Sequence, residues 1–154
     1  MSESHIPEGY HSVTPSLTAR DANAALDFYA RAFGAEVKFK MDDPSSGKVA
    51  HAEFQIGNSK MMISDEYPDY GAIAPEIGKG GAFMIYVPDV DAAFAKAVAA
   101  GATSLQEPTD QFWGDRVGKV NDPFGYRWSL AAHVRDVSPE EMDAAMKAWG
   151  EATC

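Results

Sequence analysis

Leu17-Thr18-Ala19-Arg20-Asp21 runs into an Ala-rich stretch over residues 22–33 that stops at Gly34-Ala35. Sixty-eight residues on, Ile85-Tyr86-Val87-Pro88-Asp89 runs into residues 90–100 and stops at Gly101-Ala102. Each copy reads as a strand, an Asp N-cap, a helix and a Gly C-cap. Ala22, Leu26, Tyr29 and Phe33 share one face of the first helix; Phe94, Ala97, Val98 and Gly101 share one face of the second. Working outward, the first copy continues through residues 36–40, a turn at Asp42-Asp43-Pro44-Ser45-Ser46-Gly47, residues 49–56, a turn at Gly57-Asn58, and residues 61–64. The second continues through residues 103–106, a loop at Glu107-Pro108-Thr109-Asp110, residues 116–121, a turn at Asp122-Pro123-Phe124-Gly125, and residues 126–132. The pattern predicts two tandem βαβββ modules, over residues 8–66 and 81–134. Residues 67–80, rich in Gly and Pro, form a connecting loop able to cover a site. A last helix is expected over residues 138–150, where Ser138-Pro139-Glu140-Glu141 combines a capping box with Pro at the first helical position. Its stripe of Met142, Ala145, Met146 and Trp149 is expected to pack on the domain or on a second subunit.

The chain has 154 residues, 45% of them hydrophobic and 23% charged, which suits a globular core without disulfides. Thirteen Lys and Arg against 23 Asp and Glu give a net charge of −10. That field repels phosphate backbones and anionic lipid, so nucleic acid is excluded as a partner and cationic compounds are favoured. No apolar run is long enough for a membrane span. The single cysteine, Cys154, forbids an intramolecular disulfide, and no base is positioned beside it for nucleophilic catalysis. The N-terminus has neither the basic start nor the apolar run of a signal peptide, so a cytoplasmic location is expected.

Several segments carry a family resemblance. They are Gly9-Tyr10-His11-Ser12-Val13-Thr14-Pro15, Ala25-Leu26-Asp27-Phe28-Tyr29-Ala30-Arg31-Ala32-Phe33-Gly34-Ala35, His51-Ala52-Glu53, Asp110-Gln111-Phe112-Trp113-Gly114-Asp115-Arg116 and Asp122-Pro123-Phe124-Gly125-Tyr126-Arg127-Trp128. Together with the paired modules they resemble the vicinal oxygen chelate superfamily of glyoxalases, bleomycin resistance proteins and extradiol dioxygenases, and most closely its PhnB-like branch. The resemblance implies an α+β fold: one curled mixed sheet around a cleft, within a homodimer. It also implies a divalent metal held by His, Glu or Gln on the first and last strands of each module. The matching positions here are Thr14, Ala82, Met61 or Met62, and Ser129, none of which is a competent ligand. No metal or other cofactor is therefore expected at the usual place. A displaced metal site is the alternative: His51 and Glu53 share one face of a strand, and His133 shares a face with Ser129 on the last.

Strand alternation sets out a ligand cleft. Thr14 and Ser16 line one wall, with His51 and Glu53; Met84, Tyr86 and Ser129 line the other. Phe112, Trp113, Asp115 and Arg116 lie at the mouth, where an aromatic ring stacks on a planar ligand and Arg116 pairs either with an anion or with the loop's own carboxylates. In the Asp122-Pro123-Phe124-Gly125 turn the structural role dominates. The leading expectation is metal-free binding of a small cationic or aromatic molecule. Two alternatives stand beside it: a lyase or isomerase using His51 or Glu53 as acid–base group or displaced metal site, and a structural dimer module whose cleft is filled by side chains.

Overall fold

In the computed structural model, which describes residues 4–153, the repeat is realised element by element. The first module comprises β1 (Ser16–Ala19), α1 (Ala22–Phe33), β2 (Glu36–Asp42), β3 (Val49–Ile56) and β4 (Ser59–Asp65). The second comprises β5 (Ala82–Tyr86), α2 (Val90–Ala100), β6 (Thr103–Asp110), β7 (Asp115–Asn121) and β8 (Arg127–His133); α3 (Pro139–Thr153) follows. The helices begin and end for the reasons visible in the sequence. Asp21 and Asp89 accept from the N–H of Ala24 and Ala92, and Gly34, at φ 71°, adopts the left-handed conformation that closes α1. Ser138 Oγ accepts from the Glu141 N–H at 3.1 Å to start α3. The first strand is shorter than its alternating pattern implies: residues 11–15 are irregular with a bend at Ser12, and paired strand residues begin at Ser16, just after the Pro15 carbonyl accepts from the Met62 N–H.

One expectation fails. The strands do not form a single curled sheet around a cleft but two separate four-stranded sheets, ordered β1-β4-β3-β2 and β5-β8-β7-β6. Each is mixed, with a parallel pair (β1 with β4, β5 with β8) and two antiparallel pairs. The physical reason lies at the free edge of β1. There the Tyr126 hydroxyl accepts from the Thr18 N–H at 3.0 Å and donates to the Thr18 carbonyl at 3.1 Å. A side chain thus satisfies the backbone groups through which β1 would have continued into β5.

The modules meet through their helices. The Tyr29 ring of α1 lies 5.7 Å from Phe54 of β3 and 5.3 Å from Trp128 of β8. One ring touches both sheets, so each sheet turns its apolar face inward to a shared core and its other face out to solvent. Asp122, 1% exposed, ties this junction together. Its Oδ2 accepts from Tyr29 Oη (2.6 Å) and Trp128 Nε1 (2.8 Å), and its Oδ1 from the N–H groups of Phe124 and Tyr126. The structural role expected of the Asp122 turn is what these bonds perform. Buried Asp65 plays a similar part within the first module, accepting from the N–H of Ala22 (2.7 Å) and of Val49 (2.6 Å).

Val90, Phe94 and Ala97 are the buried face of α2, while Val98 is exposed. Nothing described in the same chain buries α3, and Met146 and Trp149 are both about half exposed.

Candidate functional site

The outward face of the first sheet carries the densest group of chemistry-bearing side chains. Cross-strand register places Ser16 beside Met62, and Met62 beside Glu53. Met61, by contrast, is buried toward the helices, which settles the one-residue ambiguity at this strand in favour of Met62. His51 and Glu53 share this face as alternation requires, with Ala52 and Phe54 buried on the other.

The neighbouring edge strand adds two residues that alternation alone misplaces. Val37 pairs with the inward Phe54, but the next pair is Phe39 with Glu53, so Lys38 is an extra residue in a β-bulge. Beyond the bulge Phe39 and Met41 stand on the outward face beside Glu53 and His51, with the Phe39 and His51 rings 6.3 Å apart.

Tyr10 is the residue that the sequence reading missed as a site residue. It precedes any strand, so no periodicity marks it. The chain leading into β1 folds across the outward face, and Tyr10 Oη donates to Glu53 Oε1. Burial, this bond and the Glu53 charge together push the phenol up to about 12, so Tyr10 remains a donor throughout the neutral range. Lys60 Nζ sits 5.2 Å from the centroid of the same ring. A hollow of about 290 Å³ opens between this segment and the sheet, lined among others by Tyr10, Thr14 and Met62.

The other expected site residues fall elsewhere. Met84 and Tyr86 are exposed on the outward face of the second sheet, and Ser129, paired with Met84, is buried there. Met84 and Tyr86 share a cavity with His11 and Lys60 of the first module, and neither His51 nor Glu53 lines it. Trp113 is in the β6–β7 hairpin, edge-on to Phe112 at 5.1 Å. Arg116 turns the other way, toward the helices. Its Nε and Nη2 grip both oxygens of Asp91 on α2 at 2.8 and 2.9 Å, and Nη1 reaches Asp110 at 3.1 Å. These carboxylates hold its guanidinium firmly charged, and its role is to bind α2 to the β6–β7 hairpin. His133 is held between Asp115 (Nδ1, 2.9 Å) and Asp136 (Nε2, 2.7 Å), which raises its pKa and fastens the linker to α3. The alternative of a displaced His51, Glu53 and His133 cluster is not formed among the described residues.

A family model described as the Glyoxalase/Bleomycin resistance protein/Dioxygenase superfamily matches residues 9–130. The chain belongs to that superfamily. Among its relatives, an uncharacterized protein of Mycobacterium tuberculosis (strain ATCC 25618 / H37Rv) is 39% identical over 145 residues, covering 91% of this chain and 85% of the other. The solved structure of TioX from Micromonospora sp. ML1 is 26% identical with a TM-score of 0.64, covering 86% of this chain and all of that one. The fosfomycin resistance protein FosX from Listeria monocytogenes shares the fold, with a TM-score of 0.63 at 19% identity over 85% of this chain and 96% of that one.

The metal that the glyoxalase superfamily implies does not fit the donors present. The matching positions offer two hydroxyls (Thr14, Ser129), a methyl group (Ala82) and a thioether (Met62). Among the described residues no three His, Cys, Asp or Glu are grouped to hold an ion.

Proposed function

We propose that this superfamily member binds a small, flat cationic molecule on the outward face of its first sheet, without a metal. The observation that carries the reading is Glu53: a half-buried carboxylate anchored by the Tyr10 phenol, on the outward sheet face beside Phe39 and His51. A carboxylate flanked by aromatic rings attracts a cation through both charge and ring quadrupole. A second copy of the chain completes the site by laying the outward face of its second sheet, with Met84 and Tyr86, over the first. What supports this is β5 itself. It is an edge strand, Ala82-Phe83-Met84-Ile85-Tyr86, with no charge or proline to blunt it and with Met84 and Tyr86 exposed. The unburied apolar stripe of α3 adds to the surface a homodimer would cover. We assign the chain to the PhnB-like branch on the sequence segments quoted above.

Calorimetric titration of a screened cationic aromatic compound and of its neutral isostere tests the reading. Phe39→Ala should weaken the cation roughly 2- to 30-fold, the range of about 0.5–2 kcal/mol for such contacts. Glu53→Gln should weaken the cation and leave the isostere nearly unchanged. Equal losses for both compounds would refute the acidic face, and a monomer of 16.6 kDa in sedimentation equilibrium would refute the completed cleft.

The Tyr10–Glu53 pair also favours a second reading, a metal-free lyase or isomerase in which Glu53 is the base. Turnover abolished by Glu53→Gln with binding retained is its signature.

A further inference from the structure

A cavity of about 400 Å³ lies at the junction of the modules and wraps the free edge of β5, so that inward Phe83 and Ile85 and outward Met84 and Tyr86 all line it, whereas Glu53 and His51 do not. The second sheet supplies Phe83, Ile85 and the indole of Trp128; Met61 faces them from β4. Trp128 and Met61 are buried, whereas Phe83 and Ile85 are only partly covered because α2 packs over β6, β7 and β8 and leaves β5 bare. A half-covered apolar floor of this size accommodates a bicyclic aromatic or a short aliphatic body.

The polar rim decides the charge of the ligand. In a chain with 23 carboxylate side chains, none lines this cavity; Lys60 and His11 do. Lys60 has no carboxylate partner among the described residues. Its ammonium rests over the Tyr10 ring and lies 3.5 Å from the Glu8 carbonyl. The mouth is thus a local exception to the protein's negative field, and selection there runs opposite to that at Glu53.

We infer that this junction cavity is a second binding site, selective for amphipathic anions: a carboxylate or sulfonate at Lys60 and His11 with an apolar body against Phe83, Ile85 and Trp128. Three probes with one body and different charge test it, namely 2-naphthoate, 2-naphthamide and 2-(aminomethyl)naphthalene, titrated by calorimetry against the full chain. The expected order is naphthoate tightest, naphthamide about 5-fold weaker and the amine weaker still, the size of one partly exposed charge contact. Lys60→Met should erase the difference between naphthoate and naphthamide, and Ile85→Trp should fill the floor and abolish binding of both. Glu53→Gln should leave naphthoate unchanged, so failure of the open-face reading does not mimic failure here. Naphthoate binding no tighter than naphthamide, an unchanged ratio in Lys60→Met, or no naphthoate binding at millimolar concentration would each overturn the inference. Should Ile85→Trp lose its fold by circular dichroism, the Lys60→Met ratio decides alone.

Discussion

Asp122→Asn isolates the tether that sets the two modules back to back. The substitution preserves volume, and its remaining carbonyl oxygen still accepts from the Phe124 and Tyr126 N–H groups. Its amide nitrogen, however, now faces Tyr29 Oη and Trp128 Nε1, both donors in the native arrangement. The tyrosine hydroxyl turns and accepts instead; the indole has no such choice and is left buried without an acceptor. Losing one charge-assisted bond costs about 1.5–3 kcal/mol, and the stranded indole N–H a further ~1–3 kcal/mol, so a total near 3–5 kcal/mol is expected. With a urea dependence of about 2 kcal/mol per M, the midpoint should fall by roughly 1.5–2.5 M. Tyr29→Phe is the internal control. It removes one donor but leaves Trp128 paired, so its cost should stay near 1–2 kcal/mol. Urea melts followed by fluorescence and by far-ultraviolet dichroism measure both. A shift below ~0.5 kcal/mol for Asp122→Asn, or equal costs for the two variants, would show that this carboxylate does not hold the modules together.

Three further outcomes follow from particular contacts. His133 is held charged by Asp115 and Asp136, so its contribution is complete below the ordinary histidine range and is lost as pH rises through its raised pKa; amide exchange over residues 134–138 should speed up across that window, and His133→Gln should exchange fast at every pH. Gly114, at φ 99°, would put a Cβ 2.1 Å from the Arg135 carbonyl oxygen, so Gly114→Ala should destabilise by more than ~1 kcal/mol and free α3 to early proteolysis. Arg116→Ala should lower the melting temperature by releasing α2 from the hairpin while leaving the affinity of a cationic ligand unchanged; a large change in affinity would return Arg116 to the binding site.

What could be read from sequence was what short-range rules govern. The caps at Asp21 and Asp89, the closing glycines, the placement of His51 with Glu53 and the structural duty of the Asp122 turn all follow from local geometry. Three things lay beyond such rules. Tyr10 reaches Glu53 across 43 positions through an irregular segment that no periodicity describes. Arg116 is on the helix side, where Asp91 of α2 and Asp110 reach it, and motif proximity to Trp113 does not reveal that choice. At the edge where the two sheets divide, a phenol satisfies the Thr18 backbone, a tertiary contact between residues 108 positions apart.

The bulge at Lys38 makes the ligand preference of the first sheet a question of register rather than of composition. Laid straight against β3, the same strand would bring Lys38 opposite Glu53 and Lys40 opposite His51, and would turn Phe39 and Met41 inward. The face would then present two ammonium groups in place of an aromatic ring and a thioether. A one-residue slip in the pairing of β2 is therefore enough to exchange an aromatic and thioether surface for one bearing two ammonium groups, with every residue of β3 and β4 left as it is.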